Sequence, residues 1–198
     1  MSALMTWGMR AVGLVLFSEL VTCGGVGRLA GPELGDAVLG PRTGERLLLT
    51  CSSGEAEASY ARGVKATPGD SEVSFSARMR DCVGLWGSAV KSATSGSGGP
   101  SMARGISCAD LARAGVGRQV VTWNTAETST LLMGRSRVSI EGATTIVTQT
   151  GTVLSGKYEG ATAVRTATFL RSDIEAGCYS AQGLTHLRGQ VTLSMTYP

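Results

Sequence analysis

Histidine is almost absent from this chain: His186 is its single occurrence. A Ser-His-Asp relay or a histidine-based metal site would have to run through that one residue. Its context, Leu184-Thr185-His186-Leu187-Arg188, is an ordinary strand approach with no nucleophile motif, so we expect His186 to be structural or exposed. The cysteines show no C-x-x-C spacing, which argues against zinc and thioredoxin-like redox chemistry. Basic residues form no runs: three lysines and fifteen arginines are scattered singly at a net charge of +3, and no nucleic-acid tail results. The Gly-Ser stretch from Ser95 to Gly99 lacks the Lys-Ser/Thr ending of a phosphate cradle. No cofactor or metal is therefore expected.

What is present begins with an apolar N-terminal segment. From Met9 to Thr22, Arg10 precedes an apolar run from Ala11 to Phe17, which reads as the charged and hydrophobic regions of a signal peptide covering residues 1–30. The run is shorter than the roughly 18 residues a membrane span requires, so no transmembrane span is expected. Glu19 interrupts it, and neither Val21-Thr22-Cys23 nor Arg28-Leu29-Ala30 is a good cleavage site. Leu20-Val21-Thr22-Cys23 resembles a lipobox with Thr in place of the usual small residue, which makes Cys23 a candidate lipid anchor. Residues 31–44, rich in Gly and Pro, read as a linker, and residues 45–198 as one domain. Four cysteines in that body, Cys51, Cys82, Cys108 and Cys178, read as two disulfides formed in an oxidising, extracellular compartment, with three connectivities open.

The body is strand-rich. Residues 46–53, 72–79, 119–123, 129–140, 144–154, 161–170 and 190–197 are β-branched or alternating runs separated by Gly-bearing turns. In the last, Val191, Leu193 and Met195 share one face while Thr192, Ser194 and Thr196 share the other, as in an antiparallel strand wet on one side. Residues 91–101 read as a long loop, and Ser107 as the cap of one short helical turn through Ala112. The expectation is an all-β, antiparallel immunoglobulin-like β-sandwich with one short helical turn; a closed barrel stands second.

Thr122-Trp123-Asn124-Thr125-Ala126-Glu127-Thr128, Thr145 to Val153, Ser155 to Thr162, and Cys178 ahead of Gly183-Leu184-Thr185 together resemble a group of uncharacterised secreted β-proteins of actinobacteria. The resemblance covers residues 118–196 and, from Cys51 to Cys108, the cysteine order alone. It implies export, an immunoglobulin-like sandwich and the sequential pairing Cys51 with Cys82 and Cys108 with Cys178; it implies no activity. Ala126 departs from it, a glycine being usual there.

Two classes of function follow. The first is a secreted, non-catalytic protein acting by surface contact with a protein, a polysaccharide or the cell envelope through its loops. The turn Trp123-Asn124-Thr125-Ala126-Glu127 is its candidate ligand contact, with Trp123 as a stacking platform. The alternative assigns Trp123 to the core and Asn124 and Glu127 to the turn's own backbone, and it is the one we favour. The second class is a secreted, glycosidase-like hydrolase, whose two facing carboxylates would come from Glu127, Glu141, Glu159, Asp173 and Glu175. Each of these acids falls in or beside an expected turn, where solvation alone accounts for it.

Overall fold

The computed structural model describes residues 46–113 and 115–197; the expected leader, the linker and Cys23 lie outside them. Nine strands follow in order: β1 (Arg46–Val64), β2 (Gly69–Gly84), β3 (Ala93–Ser97), β4 (Ser101–Ile106), β5 (Gly117–Trp123), β6 (Thr128–Glu141), β7 (Thr144–Gly156), β8 (Thr162–Leu170) and β9 (Leu184–Tyr197). One α-helix, α1 (Arg171–Cys178), lies between β8 and β9, and a 3-10 helix, Cys108–Arg113, precedes β5. Each of the seven expected runs falls on a strand, Ala161 just ahead of β8 excepted. In β9 the apolar face, Val191, Leu193 and Met195, is buried.

The strands do not stack as two sheets. They form one hydrogen-bonded ladder, β1-β9-β8-β7-β6-β5-β3-β2, and β2 pairs back onto β1. The expected immunoglobulin-like sandwich is thereby corrected to a closed, eight-stranded antiparallel barrel, with β4 as a ninth strand on β2. Alternation assigns each side chain to the inside or the outside, and it does so equally well for two facing sheets and for one sheet curled on itself. Closure comes from the length and bending of particular strands. β1 runs for 19 residues and pairs with β2 along one edge and with β9 along the other, and its register with β9 shifts between Cys51 and Glu55. Gly54 lies at that bend, where an added Cβ would sit 2.4 Å from the Arg78 carbonyl oxygen. Gly151 plays the same part beside the shift between Met133 and Arg135 of β6, with the Leu132 carbonyl 2.3 Å from its would-be Cβ.

Part of the stretch read as a loop is also strand. β3 and β4 take successive positions along the same edge of β2, with Ser76 opposite Gly96 and Val73 opposite Ser101, so they are two halves of one strand broken at Gly98-Gly99-Pro100. Only β3 continues the ladder to β5. β5 in turn stops at Gly117 opposite Met133, which leaves Arg135–Glu141 of β6 paired on one edge only. The 3-10 helix Cys108–Arg113 packs at this gap, against β4 and β6. It falls at the expected helical turn, and there the Asp110 carboxylate accepts from both the backbone N–H and the hydroxyl of Ser107. The helix α1 and a second 3-10 helix, Leu85–Gly87 after β2, were not expected.

The antiparallel order places the β1–β2 turn, the 3-10 helix, the β6–β7 turn and α1 at one end of the barrel, which we call the capped end. Two disulfides are present. Cys51 and Cys82 face each other across β1 and β2, and Cys108 joins the 3-10 helix to Cys178 at the end of α1. Among the described residues no helix is long and apolar enough to cross a membrane. Most inward side chains of the barrel are apolar, with Gln119, Gln149 and Arg165 among the buried exceptions, while Glu55, Glu57, Arg78, Arg80 and Arg188 lie on its outer face.

Candidate functional site

An eight-stranded barrel is just wide enough for its interior to be filled by side chains or to hold one small ligand. Here the two halves differ. Toward the uncapped end the interior is filled: Trp123 is 2% exposed, donates its indole N–H to Ser129 Oγ at 2.8 Å, and meets Tyr158 edge-on with ring centroids 5.4 Å apart. Toward the capped end there is a cavity of about 290 Å³. Its walls are inward side chains of the barrel, among them Ala58 and Tyr60 of β1, Phe75 of β2, and Ala167 and Phe169 of β8. Its roof is the cap: Cys108 and Leu111 from the 3-10 helix, Ile174 and Glu175 from α1.

Val138 and Ile140 of β6 also line this cavity, yet they are 45% and 63% exposed. They lie on the stretch of β6 that β5 leaves unpaired, so the cavity opens to solvent there. Arg171 and Glu175 flank the opening and pair with each other at 2.6 Å.

Polar groups are few and placed deep. Gln149 of β7 lines the cavity, and its side-chain oxygen accepts from the Arg165 guanidinium, while its amide nitrogen donates to Ser136 at 3.2 Å. Arg165 is 3% exposed, donates further to Gln119 Oε1 and to the Gly115 carbonyl at 3.1 Å, and lies over the Phe75 ring at 4.0 Å. Its partners are neutral. Burial lowers its pKa to about 10, so the guanidinium remains charged at neutral pH. Its Nε, although buried, has no hydrogen-bond partner among the described residues, and neither has the hydroxyl of Tyr60 in the cavity wall. Burial also pushes the Tyr60 phenol above the usual tyrosine range, which keeps it neutral. The cavity thus offers an apolar body and one buried, uncompensated positive charge beyond its inner wall.

The expected contact turn lies at the other end. Trp123 points into the barrel and Asn124 spends its side chain on the backbone, accepting from the N–H groups of Lys91 and Ser92 and donating to the Ala89 carbonyl. Glu127 accepts from Lys157 at 2.6 Å and from Thr125 at 2.8 Å. The five acids separate: Glu127 and Glu159 belong to the uncapped end, Glu141, Asp173 and Glu175 to the capped end. Among the described residues, Glu175 is the single carboxylate lining the cavity.

His186 lies on the outer face of β9, where Ser59 Oγ is 3.2 Å and Glu57 Oε1 3.6 Å from it. Both approach the same ring nitrogen, Nδ1. A nucleophile–base–acid relay needs the two partners on opposite nitrogens, so this trio is a surface polar cluster. Among the described residues no group of three or more His, Cys, Asp or Glu could hold a metal ion.

Sequence reasoning misses the cavity, although its polar floor leaves a signal there. In residues 161–170 the alternation puts Arg165 on the same face as Ala163, Ala167 and Phe169, and an arginine in an otherwise apolar, inward register is what the fold buries. No protein-family model, curated protein or solved structure matches this chain.

Proposed function

We propose that this chain is an exported, non-catalytic binding protein that takes one small apolar ligand into the capped end of its barrel. The observation that carries the reading is the cavity of about 290 Å³, apolar in its walls and open beside Val138 and Ile140. A cavity of that size leaves its apolar lining without packing partners across it, and ligand pockets of small molecules begin at about this volume. At roughly 30 Å³ for an atom the size of water, it has room for a ligand of about ten non-hydrogen atoms. Export is supported by the two disulfides, by the Arg10-led apolar run and by the resemblance to secreted actinobacterial β-proteins. This reading moves the contact from the surface loops to the interior. Within this cavity a glycosidase-like pair would need a second carboxylate facing Glu175, and the described lining supplies none.

Titration of the oxidised full chain with octan-1-ol, followed by calorimetry, tests the reading. Saturable binding of one molecule per chain is expected, abolished in Ala167→Phe, which fills the cavity from β8. Absence of saturable binding, or binding unaffected by that substitution, would overturn it.

A further inference from the structure

We infer that the ligand is a short apolar chain or ring ending in a carboxylate, held with its anionic end inward, toward Arg165. The inference rests on the cavity reading above and concerns only what the cavity selects.

Arg165 carries a full charge and is 3% exposed, and among the described residues no acidic side chain pairs with it. Of its five N–H donors, one goes to Gln119, one to Gly115 and one to Gln149, all neutral acceptors. A charge kept in a dry interior without a counter-charge is expensive to maintain. Hydrogen bonds to amides orient the guanidinium but leave its charge in place. Two of the side chains that touch it reach the cavity: the Phe75 ring, whose centroid is 4.0 Å from Cζ, and the Gln149 amide. The inner end of an otherwise apolar cavity is therefore its most positive place, and the low dielectric of the walls preserves that potential.

Desolvation sets the selectivity. A carboxylate loses far more hydration on entering an apolar cavity than a hydroxyl does. A neutral cavity of this shape would thus prefer an alcohol to the acid of the same chain length, and only a fixed positive charge reverses that order. Length is bounded by the volume, since about ten non-hydrogen atoms correspond to a chain of eight carbons with two oxygens.

The mouth offers the competing arrangement. Arg171 is also basic and lines the cavity, but it is exposed and already neutralised by Glu175 at 2.6 Å. A head group held there would be screened by water and salt, whereas one held near Arg165 would not.

Octanoate and octan-1-ol should be titrated in parallel into the full chain, into Arg165→Met and into Arg171→Met. Octanoate is expected to bind about tenfold more tightly than octan-1-ol to the unaltered protein, to keep that preference in Arg171→Met, and to lose or reverse it in Arg165→Met. Equal binding, or tighter binding of the alcohol, overturns the carboxylate inference while leaving the cavity reading intact; failure of both ligands to bind overturns the two together. A preference that disappears in Arg171→Met overturns the inward orientation. Should Arg165→Met not fold, the ratio in the unaltered protein and in Arg171→Met still decides.

Discussion

Cys108 and Cys178 are 70 residues apart in sequence, and their disulfide joins the two elements that roof the cavity, the 3-10 helix Cys108–Arg113 and α1. Cys51 and Cys82 are bridged where β1 and β2 already pair in register, far from that roof. The two bridges therefore do different work.

Replacing both Cys108 and Cys178 by alanine releases the longer loop and should cost about 4 kcal/mol of stability by loop closure, measured by denaturant unfolding. It should also weaken octan-1-ol binding, because the cap is no longer tied across the opening. The Cys51→Ala/Cys82→Ala pair should cost about 3 to 4 kcal/mol and leave the affinity unchanged. Equal effects of the two pairs on affinity would show that the cap does not shape the cavity.

Ala126 has a φ of 64°, in the left-handed region that favours glycine. Its N–H donates to the Trp123 carbonyl at 2.9 Å, so the turn imposes this conformation whatever residue occupies it. Ala126→Gly should therefore raise stability by about 1 kcal/mol and the melting temperature by a few degrees. A lower melting temperature for Ala126→Gly would refute this account of the turn.

Trp123 and Glu127 stand four residues apart and should respond very differently. Trp123→Ala removes a buried ring, its hydrogen bond to Ser129 and its edge contact with Tyr158, and should cost about 3 to 5 kcal/mol. Glu127→Gln acts on an exposed pair and should cost far less. The bond from Lys157, and then that from Thr125, holds the Glu127 carboxyl below the usual glutamate range. A folded pKa below the unfolded one means that the contribution is complete above the ordinary glutamate pKa and is lost as pH falls through the lower, folded value. NMR titration should find this carboxyl shifted downward, and Lys157→Met should return most of the shift. An unshifted carboxyl in the unaltered protein would count against the pair.

Much of this molecule is legible in its amino-acid order. The alternation in residues 161–170 and 190–197 marks strands and their inward faces because a period of two is local geometry. The cysteines point to two bridges, and the sequential pairing implied by the resemblance is the one present. The 3-10 helix lies where Ser107 opens the expected helical turn. Less legible is α1, whose Arg-Ser-Asp-Ile-Glu-Ala-Gly-Cys stretch has neither a capping side chain nor a sustained apolar stripe. It is held by its end: the Cys108 disulfide ties it down, and Gly177 lets Leu184 approach so closely that an added Cβ would lie 2.4 Å from its Cδ1.

By itself, then, the sequence determined which side chains share a face within an unbroken alternating run, because that depends only on neighbours two residues away; the register shifts in β1 and β6, which move the inward face from Cys51 to Ala56 and from Met133 to Val138, belong to the tertiary structure. Whether those inward faces meet as two stacked sheets or one closed ring was decided by tertiary structure, through the pairing of β1 with both β2 and β9 and the bends at Gly54 and Gly151. The cavity was decided there as well. Nothing local in Ala58, Phe75, Val138 or Phe169 brings them together; closure of the barrel does, and the early end of β5 leaves the opening. Arg165 joins the two levels, since its place in an apolar register is written in the sequence, but only the closed barrel deprives it of both water and a counter-charge.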